Sequence, residues 1–209
     1  MKRLLDPKKI QNRSFEIIDG LLRSSKLPPE EKKILQRVIH ATTDTGYAQD
    51  LCFHPKAVAS GLKAIRSGKN VVCDVNMVKA GVNAKLLSGF GGKVVCLIDD
   101  EEVVQKASKR KITRAILAIR KSIIEMTGGI VSIGNAPTAL FELCHLIRED
   151  KAKPALVVGI PVGFVGAVES KQELMSLGIP YITNQSPKGG SSVAAAITNA
   201  LLNMASEKD

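Results

Sequence analysis

From about residue 55 onward, short apolar runs alternate with longer stretches of mixed apolar and polar positions. NVVCDV at 70–75, VVCLI at 94–98, IVSI at 130–133, ALVVGI at 155–160 and YIT at 181–183 are short, rich in β-branched residues and bounded by Gly, Asp or Pro. Runs of that kind predict buried strands. Between them, apolar positions at helical spacing predict helices over about 55–67, 111–126, 136–149, 168–177 and 190–204. Two more helices are expected upstream. The second begins at Pro28-Pro29, carries Glu30 and Glu31 in its first turn where the helix dipole favours acids, and ends near His40. Its apolar face is Ile34, Leu35, Val38 and Ile39, and the passage from Ser24 to Pro29 is the linker-like stretch before it. The alternation predicts an α/β protein, a three-layer α/β/α sandwich with a mostly parallel central sheet. A single domain is expected over 1–209, with N-terminal helices at about 8–41 and the α/β core at about 55–204.

Four strands run directly into polar or Gly-rich loops that open helices: VVCDV into NMVKAG, IVSIG into NAPTALFEL, ALVVGI into PVGFVGAVESK, and PYIT into NQSPKGGSS. In an open α/β sheet, ligands bind outside the carboxyl ends of the strands, where helix N-termini offer N–H groups to anions. One shared binding face is therefore expected. Within it, Asn135 reads as a helix cap with Pro137 in the first turn, and Glu169-Ser170-Lys171 reads either as a solvated first turn or as part of the ligand face.

Composition narrows the partner. With 44% hydrophobic residues, 3% aromatics and no Trp, the core must be built from Val, Ile, Leu and Ala, which suits a sheet covered by helices. No window reaches the roughly 18 to 20 apolar residues of a membrane span, and MKRLLDPKKIQ has no apolar run behind its charges. A cytoplasmic protein with no membrane partner is expected. Cys52, Cys73, Cys96 and Cys144 form no C-x-x-C pair and read as reduced thiols. The formal charge of +10 suggests an anionic partner. Because the basic residues are spread along the chain without aromatic stacking motifs, a small polyanion is expected rather than nucleic acid. The seven basic residues from Lys106 to Lys121 read as the solvated face of a helix whose other side carries Ile112, Ile116, Ile119 and Ile123.

Familiar chemistries fail on spacing. Gly159, Gly163 and Gly166 do not fit the dinucleotide fingerprint, and Lys188-Gly189-Gly190-Ser191 holds the ingredients of a P-loop in the wrong order. There is no G-x-S-x-G elbow, and His40, His54 and His145 are too scattered for a metal site. His54, before Pro55, reads as a helix-start residue, and His145, beside the stripe of Leu140, Leu143, Cys144 and Ile147, as structural. His40 is either a proton-transfer group or a helix-end histidine satisfied by nearby carbonyls.

The blocks VIHAT, CDVNMVKAG, IGNAPTALF, GIPVGFVGAVESK, and PYIT followed by KGGSS stand in that order between about Arg13 and Leu202. Together they resemble the precorrin-8X methylmutase family, to which the cobalt-precorrin-8 methylmutases of the anaerobic route also belong. The resemblance implies an isomerase of cobalamin biosynthesis that moves a methyl group from carbon 11 to carbon 12 in ring C of a polycarboxylated tetrapyrrole by a 1,5-sigmatropic shift. It implies no cofactor, cobalt belonging to the substrate where it is present, and a homodimer with the substrate near the subunit interface. His40 would protonate a ring nitrogen, a role suited to imidazole because its ordinary pKa of about 6.5 leaves a protonated fraction near neutrality. Ser14 and Arg114 would contact substrate. With the loops added, the expected substrate contacts are Ser14, Thr42, Asp74, Arg114, Asn135, Gly163, Phe164, Glu169, Lys188, Gly189, Gly190 and Ser191, with no metal ligand. The sequence departs from the family pattern at Thr43, where glycine is frequent, and at Pro187-Lys188, where arginine is. Two other readings stand beside this one: a non-catalytic corrinoid carrier and, on charge alone, a nucleic-acid-binding module.

Overall fold

Six strands form in the computed structural model, which describes residues 5–23 and 25–207: β1 (Leu51–Phe53), β2 (Val71–Cys73), β3 (Val94–Val95), β4 (Ile130–Ile133), β5 (Leu156–Gly159) and β6 (Tyr181–Asn184). They lie in the order β1-β6-β5-β4-β2-β3, with β1 antiparallel to β6 and every other pair parallel. Alternation along each strand builds two cores. Val71, Cys73, Ile130, Leu156, Val158 and Ile182 face one layer, while Val72, Val131, Ile133 and Val157 face the other.

The first layer holds α1 (Pro7–Leu21), α2 (Pro29–Thr42), α4 (Ala57–Arg66) and α11 (Ser191–Ser206); the second holds α7 (Glu101–Arg110), α8 (Arg114–Lys121), α9 (Pro137–Arg148) and α10 (Ala167–Met175). Three short helices complete the set: α3 (Tyr47–Asp50), α5 (Asn76–Gly81) and α6 (Ala84–Ser88). This is the three-layer α/β/α sandwich that the sequence predicts. Met1 to Leu4 and the linker residue Ser24 lie outside the described residues.

Two expectations change. The stretch from Lys106 to Lys121, read as one helix, is two, because Lys111 takes a left-handed conformation (φ 53°) that ends α7, and the helix expected over 111–126 forms only as α8. Thr113 then caps α8 by accepting the Ile116 N–H. The seven basic residues are divided between α7, the break and α8, so they share no single helix face. The run VVCLI pairs only over Val94–Val95, at the edge of the sheet.

The topology also fixes where a ligand would sit. From β2 the chain moves outward to β3 on one side and then to β4, β5 and β6 on the other, so the switch point lies between β2 and β4. Gly134, just past β4, is required there: a Cβ would meet Ser191 Cα at 2.8 Å and Val78 Cγ2 at 2.7 Å, so a side chain would push the first turn of α11 away. No helix among the described residues is long and apolar enough to cross a membrane.

Candidate active site

Asp74 is the first residue past β2, at the switch point. Its buried carboxylate accepts the backbone N–H groups of Gly134 (3.0 Å), Asn135 (2.9 Å) and Ala136 (2.8 Å). Burial pushes its pKa up, and the three N–H donors pull it back down. Both oxygens are thereby spent on shaping the β4–α9 loop. Asn135 is not the helix cap. Ala136 holds that place with no side-chain bond, and the Asn135 side chain is exposed on the rim.

The loop after β5 turns outward at Gly163, whose φ of 146° suits glycine. The Gly163 N–H donates to Pro187 O (3.2 Å), tying this loop to the one after β6, while Phe164 and Val165 are left almost fully exposed. Glu169 is exposed in the first turn of α10, but Ser170 and Lys171 are buried, so the reading of a solvated turn fails for them. Ala167, Ser170, Lys171 and Leu174 have the spacing of one helix face, and that face points into the protein.

Lys171 is completely buried, and its Nζ donates to Ser186 O (2.8 Å) and Lys188 O (2.6 Å). Burial lowers its pKa to about 8, against the opposing pull of the Asp50 carboxylate. Asp50, at the end of α3, accepts the Gln185 N–H (2.9 Å), the Ser186 N–H (2.8 Å), the Ser186 hydroxyl (2.6 Å) and an Asn184 amide N–H (2.9 Å). Burial alone would raise the Asp50 pKa, but these hydrogen bonds outweigh it and hold the carboxyl below the ordinary range. Because the folded pKa lies below the unfolded one, Asp50 contributes stability that is complete above about pH 4 and lost as pH falls through the folded value. Urea midpoints at pH 7 and pH 3 should therefore differ less in Asp50→Asn than in the parent; an unchanged difference would remove Asp50 from the acid response.

The α2 end reaches the same edge. After α2 the chain turns through 43–46 and α3 and enters β1, where Leu51 pairs with Asn184 at the carboxyl end of β6. Lys188 Nζ meets Asp44 Oδ2 at 2.7 Å and lies 5.9 Å from the centre of the buried Tyr47 ring. Lys188 is therefore already paired with a carboxylate of its own chain. Its hydrogen bond is the main cause that holds the Asp44 pKa below the usual range.

His40 is exposed in the last turn of α2, its ring 5.2 Å from that of Phe15 on α1. Among the described residues neither ring nitrogen has a hydrogen-bond partner, so the arrangement in which carbonyls satisfy a helix-end histidine is absent. Arg37 lies over the same Phe15 ring at 4.8 Å. Ser14 stands beside Phe15 on α1, with its hydroxyl donating to Ile10 O (3.0 Å). The Thr42 hydroxyl donates to Val38 O (2.8 Å) and accepts the Asp44 N–H (3.2 Å), which shapes the turn. Thr43 caps α2 in a left-handed conformation, φ 57°. The turn takes this shape without the glycine frequent in the family.

Arg114 opens α8 and pairs with Asp99 (2.8 Å), whose other oxygen accepts the Asn76 amide N–H (2.6 Å). The carboxyl edge thus gathers Thr42, Asp74, Asn135, Gly163, Phe164, Lys188, Gly189, Gly190 and Ser191, with His40 and Ser14 at one end and Arg114 at the other. In one chain those ends stand apart. Ser14 and His40 stand on α1 and α2 in the first layer, and Arg114 on α8 in the second, so they belong to opposite layers of the sandwich.

Lys171, Asp50, Asn184, Asp44 and Asp99 are absent from the substrate contacts expected from the sequence. Helical spacing carried a signal for Lys171 alone; the others meet their partners only across the fold. Among the described residues no cluster of three or more His, Cys, Asp or Glu could hold a metal ion. All four cysteines are free, and burial pushes the Cys144 thiol up to about 12, which leaves it protonated and unreactive at neutral pH.

An open α/β sheet with loops converging on its carboxyl edge, and a histidine with unspent nitrogens beside them, is the architecture of an α/β enzyme. Comparison with known proteins narrows this class. The family model for precorrin-8X methylmutase (CbiC) matches residues 9–204. The cobalt-precorrin-8 methylmutase of Priestia megaterium is 48% identical over 197 residues, covering 94% of this chain and 88% of that protein. That of Leptospira interrogans is 44% identical over 207 residues, covering 95% and 94%. A crystal structure of precorrin-8X methylmutase from Thermus thermophilus superposes with a TM-score of 0.88 at 39% identity, covering 95% of this chain and 96% of that one. The chain belongs to the precorrin-8X methylmutase family, isomerases of cobalamin biosynthesis.

Proposed function

We propose that this chain, acting as a single domain, moves the methyl group on carbon 11 of precorrin-8 or its cobalt form to carbon 12. The C11–methyl bond breaks as the C12–methyl bond forms, and the ring double bonds shift, so product and substrate are isomers. His40 lends a proton to a ring nitrogen, drawing electron density out of the migrating system, and recovers it afterwards. No redox cofactor takes part, and cobalt, where present, enters and leaves with the substrate. The observation that carries this reading is the exposed His40 with two unspent ring nitrogens on the edge where the loops converge.

The peripheral carboxylates of the substrate would meet Ser14, Arg114 and the backbone donors of Gly189 and Ser191, with Thr42, Asn135, Glu169, Lys188 and Gly190 around them. Phe164 would cover the macrocycle, and Asp74 would act through the loop it holds. The separation of His40 from Arg114 within one chain agrees with a homodimer whose site lies near the subunit interface. A cytoplasmic location fits a reaction on a soluble intermediate.

The relatives from Priestia and Leptospira carry the cobalt name, which favours the cobalt form as substrate. Incubated with each form in turn, the protein should convert the cobalt form faster, read from the spectral change to the corrin chromophore. Faster conversion of the metal-free form would reverse that preference. Ligand returned unchanged after a single turnover would make the protein a carrier and end the catalytic reading.

A further inference from the structure

We propose that Lys171 is a positioning residue: its buried ammonium turns the Ser186 and Lys188 carbonyls inward, holding the 186–190 loop so that the free N–H groups of Gly189, Ser191 and Ser192 are available to substrate carboxylates. The inference rests on the reading of this edge as the tetrapyrrole site. Lys171 closes the block GIPVGFVGAVESK that the sequence places on the ligand face, but it is not among the expected substrate contacts.

The geometry converges on two backbone atoms. Ser186 O accepts from Lys171 Nζ (2.8 Å) and from the Asn184 amide (3.2 Å); Lys188 O accepts from the same two groups (2.6 and 3.0 Å). A completely buried cation is costly unless its donors are met, and here loop carbonyls meet them. With the carbonyls of 186 and 188 committed, the N–H groups of the segment divide into two sets. Lys188 N donates to the Ser186 hydroxyl (3.2 Å) and Gly190 N to Ile160 O (3.0 Å). Gly189, Ser191 and Ser192 have no backbone N–H acceptor among the described residues, and α11 begins there without a side-chain cap. Gly189 also has no room for movement toward β5, since a Cβ would lie 2.5 Å from Ile160 O. The loop is thus pulled inward by Lys171 from one side and stopped by β5 on the other.

Its position passes to the α2 end, because Lys188 is the residue that grips Asp44 in the turn beyond His40. Lys171 thereby couples the donors for substrate to the turn that carries the proposed acid. No other buried cation stands among the described residues. Replacing Lys171 by methionine leaves the two carbonyls with only the Asn184 amide and removes the inward pull.

Lys171→Met should raise KM for the tetrapyrrole tenfold or more with a smaller change in kcat, and should speed amide hydrogen exchange in 185–191 and 43–46 tenfold or more while α8 and α9 exchange as before. Lys171→Gln, which keeps two N–H donors without the charge, should fall between; it also serves if the methionine variant does not fold. Unchanged loop exchange and unchanged KM in either variant would overturn the proposal. Faster exchange throughout the chain, with kcat and kcat/KM falling together, would overturn it too, by making Lys171 a general support of the fold. A wild-type protein that fails to isomerise the tetrapyrrole defeats the functional reading instead, and the exchange measurement still decides the role of Lys171.

Discussion

His40→Ala should lower turnover of precorrin-8 by about 10²- to 10⁴-fold, the usual contribution of a general acid, with little change in product affinity. The separation of the two effects follows from where His40 sits. It is exposed, and its one resolved ring contact is with Phe15, so truncation removes a proton donor without opening the core. Its cost to folding should stay within about 0.5 kcal/mol, as for surface positions generally. Single-turnover spectra of the corrin chromophore measure the first effect, absorbance titration with product the second, and urea unfolding the third. Full activity in the variant would remove His40 from the reaction, whereas equal loss of turnover and product binding would make it a binding group.

The largest loss of stability should follow Asp74→Ala. Three successive N–H groups converge on that one carboxylate, and alanine leaves them facing a buried space without an acceptor. Hydrogen bonds to a charged group are worth about 1.5 to 3 kcal/mol each and do not add fully, so a loss of about 3 kcal/mol or more is expected. Asp74→Asn keeps one acceptor oxygen but turns an NH₂ group toward the remaining N–H donors, so it should recover only part of that loss. Urea unfolding of both variants decides the matter. An alanine variant within about 0.5 kcal/mol of the parent would mean that water replaces the carboxylate, and the loop would then not depend on Asp74.

Why Asp74 was readable as a site residue but not as a brace says what the sequence carries. Its place after an apolar run put it on the ligand edge, and the hydrophobic periodicities likewise located five of the six strands together with α2, α4 and α9 to α11. Periodicity reports burial, however, and not partners. Nothing in VVCDV indicates that the carboxylate would reach residues 134–136, because that contact depends on β2 and β4 lying side by side. The β1 strand escaped for a related reason. LCF is three residues long and pairs antiparallel with a strand about 130 positions away, so it has neither length nor local pattern to show it. Lys111 hid the break between α7 and α8, since a lysine in left-handed conformation leaves no compositional mark such as glycine would. His40 was placed correctly by helical spacing, but its unspent nitrogens could be seen only once the carbonyls around it had been assigned to other donors.

Thr43 gives the end of α2 an unusual mechanical character. A β-branched residue held in left-handed conformation costs roughly 1 to 2 kcal/mol, where glycine would adopt the same shape without strain and explore others beside it. Threonine in that place makes the joint stiff, so the proposed acid is aimed by a hinge with few alternatives. Within such a family, one backbone torsion would set both how much heat the helix end withstands and how freely the acid can follow a substrate of slightly different shape.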